Sequence, residues 1–124
     1  MNEKSILTSI KKLLGIEEEY EQFDMDVIIH INTAFSVLQQ LGVGPRKGFR
    51  ITGSEQTWSD FVDVSDSSMD LVKNYIYMKV KLIFDPPASS TNIETYNKLI
   101  SEYEWRLYSS AEFREVMEGD IYEQ

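Results

Sequence analysis

The chain has 124 residues, a mass of 14.4 kDa, 21 acidic and 12 basic side chains, a formal net charge of −9 and a pI near 4.5. This length is that of one domain, and 42% hydrophobic with 27% charged residues is the balance of a soluble globular protein. The absence of cysteine excludes disulfides, thiolate metal sites and cysteine nucleophiles, the single histidine excludes a two-histidine metal site within one chain, and the acidity argues against a dedicated nucleic-acid binder.

A first helix is expected over residues 3–14. Ile6, Leu7, Ile10, Leu13 and Leu14 recur at helical spacing, Lys11 and Lys12 complement the dipole in the last turn, and Gly15 followed by Ile16 is a left-handed stop. An acidic connector follows, Glu17-Glu18-Glu19-Tyr20-Glu21. The second helix starts near Asp24, read as a cap with Phe23 stapled onto Ile28. It carries the stripe Val27, Ile28, Ile31, Ala34, Phe35, Leu38 and Leu41, and ends at Gly42 before the breaker Gly44-Pro45.

Residues 43–67 read as a β-hairpin or long loop, with short extended runs at 49–52 and 56–61 around Gly53-Ser54. A third helix over 68–84 places Val72, Tyr75, Ile76, Val80 and Ile83 on one face, and Asp85-Pro86-Pro87 ends it. A fourth opens on the capping box Thr91–Glu94, with Ile93, Tyr96, Leu99, Ile100, Tyr103 and Leu107 as its stripe. The ion pairs Glu94–Lys98 and Glu102–Arg106 are expected on its outer face. Residues 109–124 form an acidic tail or short helix stopped at Gly119. The expected fold is mainly α: a small four-helix bundle over 1–108 with the hairpin or loop between helices 2 and 3, and a C-terminal tail.

No catalytic constellation emerges. Asp24-Met25-Asp26 lacks the further ligands and the glycine of a calcium loop, since Ile28 and Ile29 stand there. The run Gly42 to Gly48 departs from a phosphate loop, with Arg46 before Lys47, Gly48 after it and Pro45 removing an amide. His30 lies one turn after Asp26, where a local contact is the simplest reading. Asp85 is the acid best placed for burial, with bracing of its turn as its expected role. No serine sits on a strained nucleophile turn, so hydrolase chemistry has no visible support. Trp105 is expected in the core, whereas Trp58 and Phe61 divide between core and interface anchor. No cofactor or metal is expected.

The ordered residues carry a resemblance. They run from Ile6 to Ile16, from Ile28 through Gln40-Leu41-Gly42-Val43-Gly44-Pro45, over Thr57-Trp58-Ser59-Asp60-Phe61, and from Lys73 through Phe84-Asp85-Pro86-Pro87. They close with Ile100 to Glu104-Trp105-Arg106-Leu107. Over residues 5–107 the chain resembles the head–tail connector, or head-completion adaptor, proteins of tailed bacteriophages. The resemblance implies a non-enzymatic virion protein made in the host cytoplasm. It implies a ring, usually dodecameric, beneath the portal protein. Such a ring extends the DNA channel and receives the next connector or stopper, while DNA passes without specific binding.

Two sets of contacts are expected on that reading. Between subunits, the acids Glu17, Glu18, Glu19 and Glu21 face the bases Arg46, Lys47 and Arg50, with Trp58 and Phe61 as anchors. Against the portal, Phe113, Val116, Met117, Ile121 and Tyr122 of the tail dock. The alternative is an acidic soluble regulatory or inhibitor protein that covers a basic partner surface. No apolar run reaches the ~18 residues of a membrane span, and residues 1–12 lack a secretory apolar core.

Overall fold

The computed structural model describes residues 5–62 and 68–122, with side chains as far as Ala111. Its elements are α1 (Ile6–Leu13), α2 (Asp24–Gln40), the one-turn α3 (Trp58–Phe61), α4 (Met69–Phe84) and α5 (Ser90–Tyr122). Helix α4 is the centre of the bundle and packs against both α2 and α5, while α1 lies across α2 and α4. The core is continuous, from Ile6 and Ile10 of α1 through Ile31 and Phe35 of α2 and Tyr75 and Ile76 of α4 to Ile100 and Leu107 of α5.

The two glycine stops form as the sequence predicts. Gly15 and Gly42 have φ of 81° and 84°. Each closes a Schellman motif: Ile16 N–H donates to Lys11 O and Gly15 N–H to Lys12 O, and Val43 N–H donates to Leu38 O and Gly42 N–H to Gln39 O. Helix α1 starts later than expected, because Ser5 caps it by accepting from Thr8 N–H at 3.2 Å.

No strand forms in segment 43–62, so this part of the expected insertion takes the loop alternative; residues 63–67 lie outside the described residues. One isolated bridge joins Ser5 to Thr57. The backbone of the loop finds its partner in a side chain: Asn32 Oδ1 accepts from Ile51 N–H at 2.7 Å, and Asn32 Nδ2 donates to Ile51 O at 2.9 Å. A planar amide here replaces a neighbouring strand. Phe35, Phe49 and Phe61 close an aromatic triangle, with centroids 4.8–5.4 Å apart, that seats the loop on α2. Gly44, at φ 89°, lets the backbone pass over the Phe61 ring, where a Cβ would sit 2.3 Å from the ring edge. The expected second extended run is α3, whose Thr57 N–H donates to Asp60 Oδ2 at 2.9 Å across a capping box.

The other departures also have local causes. Phe23, not Asp24, occupies the N-cap of α2, and its ring packs edge-on to Phe84 at 5.2 Å. Helix α5 begins ahead of Thr91, because Ser89 Oγ accepts from Asn92 N–H at 3.1 Å. It then runs unbroken into the predicted tail as far as Tyr122. Tyr108 to Ala111 contain no breaker, Ala111 packs on the core, and Gly119 lies inside the helix. Trp105 is 69% exposed, contrary to expectation. It stands two residues from both Tyr103 and Leu107, which puts it on the face of α5 opposite to theirs. Ile83 is exposed and Asp85 is open to solvent, where it braces the turn by pairing with Lys81 at 3.1 Å.

Candidate functional site

The loop and α2 enclose the most distinctive surface of the described residues. The outer face of α2 contributes Ile28, Ile29, Asn32, Thr33, Ser36 and Gln39, and the loop contributes Lys47, Gly48, Phe49 and Arg50. Between them lies an open groove of about 520 Å³. Its walls are fixed at both ends. Asn32 holds Ile51 as described, and Gln39 Nε2 donates to Arg46 O at 3.0 Å. Gly48, at φ 88°, lies so close to Gln39 that a Cβ would stand 2.6 Å from Gln39 Oε1. The floor mixes apolar and amide or hydroxyl groups, Lys47 and Arg50 supply the charge, and no carboxylate lines it.

The acidic connector is equally ordered, through an unexpected residue. Lys11 is expected to complement the helix dipole from the last turn of α1, and it proves to be buried, only 2% exposed. Its ammonium donates to Tyr20 O at 2.7 Å and Glu18 O at 3.0 Å, and lies 2.8 Å from Asp24 Oδ1. The connector wraps this buried cation with its carbonyls. Glu17, Glu18, Glu19 and Glu21 are all exposed.

The other predicted site residues fall as follows. Arg46, Lys47 and Arg50 are exposed. Trp58 and Phe61, 2% and 4% exposed, belong to the core, so neither offers a surface to a partner. Trp58 Nε1 donates to Ser9 Oγ at 3.2 Å, and Lys73 lies over its ring at 5.5 Å. The side chains of Phe113, Val116, Met117, Ile121 and Tyr122 lie outside the described residues. His30 is half-buried and Asp26 exposed, and no hydrogen bond or ion pair joins them. Of the α5 ion pairs, Arg106–Glu102 forms at 2.7 Å, whereas Glu94–Lys98 does not.

The titratable groups that shift are structural. Burial, then the hydrogen bond to Glu104 and its charge, raise the Tyr75 hydroxyl, which donates to Glu104 Oε2 at 2.7 Å between α4 and α5. Burial and a hydrogen bond with Tyr96 raise Tyr77 in the same direction. Among the described residues no group of three acids or histidines is placed to hold a metal, and no helix is long and apolar enough to cross a membrane. The arrangement can hold a partner surface.

Comparison with known families assigns the chain. Residues 6–114 match the family described as "Phage connector protein". The chain belongs to the phage connector family. That assignment covers α1 to α4 and most of α5, and it reaches seven residues beyond the Leu107 limit of the sequence resemblance. Comparison with curated proteins and with solved structures returned no match. Family membership and the helical bundle together describe a structural head–tail connector protein of a bacteriophage.

Proposed function

We propose that this connector assembles as a closed ring, dodecameric by family resemblance, at the portal vertex of a tailed phage. There it joins head to tail, lengthens the DNA channel and receives the next connector or stopper protein of the neck. Membership of the connector family, matched over residues 6–114, is the observation that carries this reading. The charge supports it. A ring of subunits each carrying a net −9 repels phosphate, which favours passage of the genome without specific binding.

The end of α5 docks on the portal protein. Its sequence from Glu112 to Tyr122 alternates acids with Phe113, Val116, Met117, Ile121 and Tyr122, an amphipathic pattern suited to a partner groove. A chain ended at Ala111 keeps the packing of Leu107 and Ala111 on the core. It is expected to melt within a few degrees of the full chain and to lose portal binding in a pull-down. Retained portal binding by the shortened chain would refute the docking role.

A further inference from the structure

The acidic connector precedes α2, and the basic loop lies along the outer face of that helix. The connector 17–21 lies before its N-terminus, and Lys47 lies beside Gln39 near its C-terminus. Asp24 and Gln39 are fifteen residues apart, about 22 Å of helix. That is more than twice the screening length of about 8 Å at physiological salt, so Lys47 does not neutralise the connector of its own chain; Arg50 adjoins Ile51, which Asn32 holds about 12 Å along α2 from Asp24, and it forms no ion pair with the connector. None of Glu17, Glu18, Glu19, Glu21, Arg46, Lys47 or Arg50 makes an ion pair among the described residues. Both ends are held in shape, the connector by Lys11 from beneath and the groove by Asn32 and Gln39.

We propose that the groove between α2 and the loop receives the acidic connector of a second copy, head to tail. Lys47 and Arg50 face the glutamates of that connector, and its Tyr20, 43% exposed here, lies against Ile29, which is 54% exposed. The contact rests on the ring reading above and names the surfaces that build the ring. Two different patches meet, so the interface is heterologous, and successive copies close only by rotation into a ring. The order of the free connector keeps the entropy cost of docking low, because Lys11 has already fixed its backbone.

The chain has no cysteine, which gives a clean test. Phage particles are assembled with the Glu19→Cys/Thr33→Cys chain, treated with a short bismaleimide and run on a denaturing gel. A ladder rising through trimers to higher multiples is expected. Particles that contain the chain but give only monomers, or a ladder that stops at dimers, overturn this contact and leave the ring standing. Complete wild-type particles that lack the chain altogether overturn the ring reading as well.

Charge reversal keeps the proposal testable if the cysteine chain fails to enter particles. Lys47→Glu/Arg50→Glu is expected to weaken self-association at low salt by about tenfold or more. Mixing it with Glu18→Lys/Glu19→Lys restores association, because the reversed groove then meets the lysines at 18 and 19 while the unaltered groove meets the unaltered connector. Unchanged association, or no recovery on mixing, overturns the contact.

Discussion

Lys11 shows how one side chain can shape a segment that holds no regular structure. Its ammonium is the hydrogen-bond donor for two connector carbonyls and the counter-charge of Asp24. Lys11→Met keeps the buried stem and removes the donor, leaving Glu18 O and Tyr20 O without it. A loss of about 2–3 kcal/mol in denaturant unfolding is expected, with faster cleavage of residues 17–21 by a glutamate-specific protease. Tyr75 gives a second prediction. Its hydroxyl is raised above the ordinary tyrosine value by burial and by Glu104. The folded state therefore holds the proton more tightly than the unfolded chain, which releases it near pH ~10. That contribution is present below pH ~10 and is lost as pH rises beyond it. Tyr75→Phe costs about 1 kcal/mol at neutral pH, and the gap from wild type narrows in unfolding experiments above pH ~10. Lys11 was legible as a helix-end cation but not as a buried one, since its partners are main-chain atoms seven and nine residues away.

At the scale of elements, the helices were legible wherever local pattern and tertiary packing agree. The stripe of α2 and the glycines at 15 and 42 are buried or turned as their spacing predicts. The loop was not legible as to partner. Alternation at 49–52 is real, with Ile51 buried between exposed Arg50 and Thr52. A strand needs a second strand, however, and here the pairing comes from Asn32, nineteen residues earlier in sequence. Asn32→Ala is expected to cost about 1–2 kcal/mol, and Asn32→Asp more, because it sets an acceptor against Ile51 O. Amide exchange at Ile51 reads the loss directly. The signal for α3 was present in Thr57-x-x-Asp60, a capping pattern outweighed by aromatic and β-branched composition. The groove had no sequence signature, since Ile29, Thr33 and Ser36 are unremarkable α2 surface until the loop covers one side of them.

At the scale of the whole molecule, an acidic helical bundle presents an acidic connector ahead of α2, a basic loop along the outer face of α2 and a long α5 that runs on to Tyr122. On the proposed ring reading, these features would serve as two unlike lateral faces and an arm for the next component. The family assignment rests on nearly the full chain, and the residues quoted for the resemblance supply much of the packing that positions these faces. The central claim is incorporation at the neck. The most direct measurement is quantitative mass spectrometry of DNA-filled particles purified from an induced lysate. The account predicts this chain in those particles at a copy number comparable to that of the portal protein. Complete particles that lack it, with the chain left wholly in the soluble fraction, would contradict the account and favour an acidic soluble regulator.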